Sequence, residues 1–287
     1  MEEYPVVMGI INVTPDSFYP GSRVQEESGL RARVRQIIIE GGRMIDVGAY
    51  SSRPGADEVS PEEELRRLSW ALPIITDELD QLTSERHFTS EQRPMISVDT
   101  FRAHVAEVCV TELGADIIND ISGGTLDDQM FDVVARTRAP YILMHMRGTP
   151  QDMQQCTDYE SPVTRAVIDF FAERLASLQA CYQRQNPGEQ PEVILDPGYG
   201  FAKTLDQNYE LMHDLPRLIG AFPACPMLVG ISRKSMIYRL LQTDASQALN
   251  GTTVLNTYAL MQGAHILRVH DVREAVEALA IVTKLNA

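Results

Sequence analysis

"VVMGIINVTPDSF", residues 6–18, holds two kinds of chain in thirteen residues. Val6 to Ile11 is apolar at every position and rich in branched side chains. Asn12, Pro15, Asp16 and Ser17 then crowd polar and helix-breaking chemistry behind it. A run that is apolar throughout, rather than at alternate positions, suits a strand covered on both faces, as in a parallel sheet. Seven more runs have this pattern: MIDVGA (44–49), PMISVDT (94–100), DIINDI (116–121), YILMHM (141–146), VILDPG (193–198), MLVGIS (227–232) and HILRVH (265–270).

Helical periodicity lies between them. Arg31 to Glu40 places Val34, Ile37 and Ile38 on one face. Pro61 to Leu79 opens with Ser60 as N-cap, proline in the first turn and three glutamates against the helix dipole. Ser161 to Arg184 is expected to open the same way, with Ser161 before Pro162, and Val272 to Leu285 is expected to be capped by Asp271. Residues 82–93 are polar and read as an exposed loop, and 186–192 as a turn. Eight strand–helix units over 287 residues give about 36 residues each, the size of a unit in an α/β (β/α)8 TIM barrel. A doubly wound sheet competes, but its Gly-rich dinucleotide turn after the first strand is missing. One domain over residues 1–287 is expected, since no repeat or linker interrupts the pattern.

The totals exclude several function classes. Twenty-five cations against 40 acids leave a net charge of −15, which disfavours nucleic acid and anionic membrane as partners. Small anions could bind where a few cations converge. Lysines are scarce: Lys203, Lys234 and Lys284 are all there are, and two of them follow apolar strand runs. Four cysteines without a C-x-x-C pair suit reduced thiols in a cytoplasm. The acidic start, Met1-Glu2-Glu3, is unlike a signal peptide, and no apolar run reaches the ~20 residues of a membrane span.

In a parallel barrel all strand exits meet at one mouth. Here they carry Asn12; Ser51, Ser52 and Arg53; Asp99; Asn119 with Asp120; His145 and Arg147; Asp196; Ser232, Arg233 and Lys234; Arg268 and His270. Any single Asn or Asp at such a place is more often a turn-former than a ligand. Eight polar exits together suggest a site. Asp99, Asn119 and Asp196 match the amino-amide edge of an aromatic heterocycle, because carboxylates take paired N–H donors. Ser52, Arg53, Arg268 and His270 match phosphate or diphosphate. SRKSM (232–236) leads into a helix start near Ser235 that could hold an anion, with a solvated basic cap as the equal alternative. His87, His104 and His213 are expected at the surface, with His265 opening a strand away from the mouth. Tyr50 could border a ligand; Met144 and Met146 are expected in the core. No zinc spacing or EF-hand loop is present, though a Mg²⁺ held mostly by a substrate diphosphate needs only one or two protein oxygens.

GIINVTPDSF, DVGAYSSRPGA, ISVDT, IINDISG, LMHMRGTPQDMQ, ILDPGYGFAK, VGISRKSMI and MQGAHILRVHDV, in this order from Val7 to about Val282, resemble the dihydropteroate synthases of folate biosynthesis. NVTPDSF together with SRKS and RVHDV is specific; DPG or SVDT alone is weak. The resemblance implies a (β/α)8 barrel that joins 6-hydroxymethyl-7,8-dihydropterin diphosphate to 4-aminobenzoate, with Mg²⁺ as cofactor and a homodimer using late helices. By motif position it implies that Asp99, Asn119, Asp196, Lys234 and Arg268 hold the pterin. Asn12, Ser52, Arg53, Arg268 and His270 would take the diphosphate, with Asn12 on the metal. Phe18, Phe201, Ser232 and Ser235 would form the 4-aminobenzoate site, and Asp99, Lys234, Arg268 and His270 would serve the chemistry. The loop after Asn12 would close over the mouth and deliver Phe18.

Two stretches depart from the common family pattern. Tyr19, Pro20, Gly21 and Ser22 replace a polar residue followed by Asp-Gly-Gly, and Ala49-Tyr50 replaces Gly-Glu. A pterin-binding methyltransferase domain shares the barrel but expels no diphosphate, and the anion pocket argues against it. A non-catalytic pterin binder stays open on the altered loops.

Overall fold

The computed structural model describes residues 5–13, 27–50, 59–85, 87–89 and 92–287. Among them eight strands form one parallel sheet: β1 (Val6–Asn12), β2 (Met44–Gly48), β3 (Met95–Asp99), β4 (Ile117–Asp120), β5 (Tyr141–Met144), β6 (Val193–Asp196), β7 (Leu228–Val229) and β8 (Ile266–Val269). Their order, β6-β5-β4-β3-β2-β1-β8-β7, brings the ends together, and a parallel bridge between Leu195 and Met227 joins β6 to the start of β7. All eight expected strands are present; β1 runs one residue further than expected, through Asn12, and the other seven are shorter.

Side-chain alternation along each strand explains why both faces are apolar. Val7, Ile45, Ile96, Ile118, Leu195, Val229 and Leu267 point outward and pack with the helices in the main core. Met8, Met44, Ile117, Ile142, Ile194, Leu228 and Ile266 point inward and form a separate plug across the barrel floor. Each such side chain contributes about 1.5–3 kcal/mol on burial. The plug closes the interior below the mouth, so polar groups above it meet a dry floor.

Among the described residues ten helices surround the sheet: α1 (Glu27–Ile39), α2 (Pro61–Ser84), α3 (Ala103–Thr111), α4 (Met130–Thr137), α5 (Val163–Gln185), α6 (Leu205–His213), α7 (Leu215–Ala221), α8 (Ser235–Leu240), α9 (Leu249–Met261) and α10 (Val272–Asn286). Ser60 caps α2 as expected, its hydroxyl accepting from the Glu63 N–H at 3.2 Å. Thr204 and Gln207 cap α6 reciprocally, a capping box lying unread in the sequence.

Three expectations are corrected, one of them in part. Pro162, not Ser161, occupies the N-cap of α5, without a side-chain cap bond. Asp271 occupies the N-cap of α10 as expected but makes no side-chain cap bond, its carboxylate being held by Arg233. Residues 82–84 continue α2, with Leu82 in the core, and Phe88 beyond them is buried too. No helix among the described residues is long and apolar enough to cross a membrane. All four cysteines are free, with Cys109 and Cys181 buried.

Candidate active site

Two residues beyond the inward plug, each strand makes another inward step. On β2, β3, β4, β6 and β8 that step is Asp46, Ser97, Asn119, Asp196 and Arg268. A further step up reaches Asn12, Asp99 and His270. Alternation therefore stacks a polar tier on the apolar plug. Of the residues singled out from the strand exits, Asn12, Asp99, Asn119, Asp196, Arg268 and His270 converge above one floor, whereas Asp120 turns outward to the Tyr141 hydroxyl and Arg147 to the Asp158 carbonyl.

Arg268 is the hub. Its Nε donates to Asp46 at 2.6 Å and its Nη2 to Asp99 at 2.8 Å. Asp46 also accepts from the Ser97 hydroxyl at 2.7 Å and from the Asn119 amide at 3.1 and 3.2 Å. Burial would lower the basicity of Arg268, but Asp46 and Asp99 outweigh it and the net shift is upward. The Asp99 carboxyl is pushed up to about 7, first by burial and then by Asp46, against the opposing charge of Arg268.

Asp196 and Lys234 form the other half. Asp196 accepts from the Gly198 N–H at 2.8 Å, and its second oxygen faces Gly230, where a Cβ would sit 3.8 Å away. Burial raises this carboxyl, with Lys234 and Arg268 opposing. Lys234 donates to the Tyr199 carbonyl at 2.6 Å, and its ammonium lies 4.6 Å from the centre of the Phe201 ring. Burial lowers Lys234 to about 8, with Asp196 resisting.

On the β8 side, the His270 N–H donates to the Ser232 hydroxyl at 3.1 Å, and His270 Nδ1 lies at the same distance from it. Ser232 is thus turned toward His270. Ser235 is the first residue of α8, which is only six residues long. Arg233 corrects the solvated-cap alternative for SRKSM. It holds Asp271 at 2.9 Å through two nitrogens and the carbonyls of Ala245 and Ser246 at 3.0 and 2.8 Å. Its guanidinium ties the β7 exit to the β8 exit. Asn12 makes no side-chain hydrogen bond among the described residues; its Oδ1 and Asp99 Oδ2 both lie 3.6 Å from where a Cβ at Gly48 would stand. Phe18, Ser52 and Arg53 lie outside the described residues, as do residues 19–22.

Tyr50 packs edge-on against Phe101 at 5.2 Å and takes a hydrogen bond from Gln151 at 2.8 Å. Arg102 lies over both rings while pairing with buried Glu64. Met144 and Met146 are core residues, beside Ile121 and Met153. His265 accepts from the Met227 N–H through Nδ1, a link between strands. Two residues were missed, Asp46 and Ser97; His145 and Lys203 were each picked out, but not as a buried pair. A carboxylate in the middle of an apolar run was the available signal for Asp46.

Residues 8–270 match the family described as pterin binding enzyme. A dihydropteroate synthase of Synechocystis sp. is 40% identical over 281 residues, covering 97% of this chain and 88% of that protein. The chain belongs to the dihydropteroate synthase family. Solved structures agree. The Xanthomonas albilineans dihydropteroate synthase with 4-aminobenzoic acid superposes with a TM-score of 0.80 at 33% identity, covering 99% of this chain and 94% of that one. The Anaplasma phagocytophilum dihydropteroate synthase with bound 6-hydroxymethylpterin-monophosphate gives a TM-score of 0.80 at 30% identity, over 99% and 100% of the two chains. The fold is therefore the (β/α)8 barrel of these enzymes.

Proposed function

We propose that this chain, acting as one domain, condenses 6-hydroxymethyl-7,8-dihydropterin diphosphate with 4-aminobenzoate to 7,8-dihydropteroate and diphosphate. The observation that carries it is the buried polar tier: acceptors at Asp99, Asn119 and Asp196 surround the same floor as the cations Arg268 and Lys234. Asp196 and Asn119 take the amino-amide edge of the pterin. Lys234 reaches a ring acceptor, and Arg268 lies against the ring and toward the leaving group. His270, with Ser52 and Arg53, receives the diphosphate.

The methylene C–O bond breaks first, and diphosphate leaves with the electron pair. Asp99 faces the resulting carbocation and steadies it by charge, while Arg268 and His270 meet the departing oxygens. The neutral arylamine nitrogen then bonds to the methylene carbon and sheds a proton. Phe201, Ser232, Ser235 and Phe18 line the 4-aminobenzoate side. No covalent enzyme intermediate is needed.

Asn12 fits a Mg²⁺ role, because its side-chain oxygen has no protein partner among the described residues and hard oxygen donors suit this ion. When bound with the substrate, Mg²⁺ would neutralise charge on the diphosphate, held by Asn12 and phosphate oxygens. A homodimer fits the exposed Leu240 and Leu241 just where α8 ends, Val254 and Met261 of α9 and Ile281 of α10.

The test incubates purified protein with the pterin diphosphate, 4-aminobenzoate and Mg²⁺. Dihydropteroate and diphosphate are expected in equal amounts. Their absence from a folded sample would overturn the assignment. Asp196→Asn and Lys234→Met should each raise the KM for the pterin substrate by about tenfold or more.

A further inference from the structure

His145 and Lys203 have no part in the chemistry above, yet both are buried, His145 just beyond β5 and Lys203 in the turn that follows β6. Lys203 Nζ lies 2.9 Å from His145 Nδ1, 2.9 Å from the Gly198 carbonyl and 3.0 Å from the Phe201 carbonyl. An ammonium has three protons. Three acceptors surround it, so the charged form is fully satisfied.

The two carbonyls bracket the turn that leaves β6. Between them lies the Tyr199 carbonyl that receives Lys234, and Phe201 presents the ring beneath the Lys234 ammonium. The turn also rests directly on β5's exit: a Cβ on Gly198 would fall 2.0 Å from the His145 carbonyl oxygen. The His145 ring is held edge-on by Phe170 at 4.9 Å and flanked by Tyr159 at 6.2 Å, so its Nδ1 is aimed. One loop is therefore gripped by two lysines, one from behind and one from the site.

We propose that Lys203 is a positioning residue of the reaction: seated as an ammonium on a neutral His145, it draws in the Gly198 and Phe201 carbonyls and so sets where Lys234 and the Phe201 ring meet the substrates. This rests on the synthase assignment above. Burial, and then the charges of Lys203 and Arg147, hold His145 well below the ordinary imidazole range, which leaves it the acceptor. Burial lowers Lys203 to about 7, with Asp196 opposing and Lys234 adding to the fall. The cation is thus present in weak acid. Preorganised supports of this kind act on binding geometry more than on the reacting bond.

Only three lysines exist in the chain, so protein labelled with ¹⁵N at the lysine side-chain nitrogens gives a spectrum of three signals. Lys234→Arg and Lys284→Arg assign the other two. At about pH 6, the Lys203 ammonium signal is expected to be protected from solvent exchange, and His145→Phe is expected to displace it. In kinetics, Lys203→Met should raise both KM values about tenfold and change kcat by less than about threefold. His145→Phe should act in the same direction, more weakly. A lysine that merely supports folding would lower the active fraction and leave KM alone. Unchanged KM values in folded Lys203→Met overturn the proposal, as does a parent spectrum without a protected Lys203 ammonium. If Lys203→Met does not fold, unchanged KM values in His145→Phe overturn it instead. A parent that makes no dihydropteroate defeats the synthase assignment, while the protected signal still decides the seat of Lys203.

Discussion

Arg268 is anchored on Asp46: its Nε stands 2.6 Å from a carboxylate that is wholly out of solvent. Asp46 is itself fixed by Ser97 and Asn119 from the next two strands. The other partner, Asp99, keeps 21% of its side chain open toward the mouth. The two ion pairs therefore differ in kind. Asp46 sets the base of the guanidinium, and Asp99 can exchange its contact for substrate.

Asp46→Asn should lower kcat/KM by about 10²-fold, since removing one partner of a buried pair leaves the other charge uncompensated at a cost of about 3 kcal/mol or more. Ser97→Ala, which removes one hydrogen bond to Asp46, should cost about tenfold or less. Steady-state kinetics on both variants check the order. Equal, small losses would show that Arg268 holds its place without Asp46.

The pH profile of kcat/KM should be a narrow bell. Asp99, pushed up to about 7, must be ionised to face a carbocation, so activity rises as pH climbs through that value. Lys203 and Lys234, lowered to about 7 and about 8, shed their protons above it, so activity falls again. The limbs belong to the coupled set and not to single groups. Asp46→Asn should move the acid limb to lower pH, because Asp46 contributes to the rise at Asp99. A flat profile from pH 6 to 9 would count against all three roles.

Asn12→Ala should raise the Mg²⁺ concentration for half-maximal activity by about tenfold, with the melting temperature changed little, because the Asn12 side chain holds no hydrogen bond among the described residues. Titration of activity against Mg²⁺ decides it. An unaltered Mg²⁺ curve would remove Asn12 from the metal.

Gly198→Ala should be destabilising by about 3 kcal/mol or more, since the new Cβ meets backbone and the residue has a left-handed conformation. Its φ is +68° and the His145 carbonyl oxygen lies 2.0 Å from the added atom. Gly188 has a φ of +85° with nothing within 4 Å, so Gly188→Ala isolates the conformational cost alone, about 1 kcal/mol. Thermal melts of the pair separate collision from strain.

Much of this fold is legible in one dimension. An apolar run covered on both faces needs only local pattern, and so does the step of two that lifts Asp46, Asn119, Asp196 and Arg268 above Met44, Ile117, Ile194 and Ile266. Ser60 and the glutamates of α2 are equally local, and the capped helix followed. Ser161 yields the cap position of α5 to Pro162, and Asp271 stands at the cap of α10 with its carboxylate engaged elsewhere. At Asp271 the competitor was Arg233, 38 positions away.

The sequence by itself determined the strands and the polar exits, because side-chain alternation and hydrophobic period are properties of neighbours along the chain. Only the tertiary structure decided which charges are shared and which are spent. Arg268 meets Asp46 across 222 positions, Lys203 meets His145 across 58, and Arg233 is consumed by Asp271. Such partnerships depend on barrel closure, which brings distant strands side by side and removes the water that would otherwise serve each group alone.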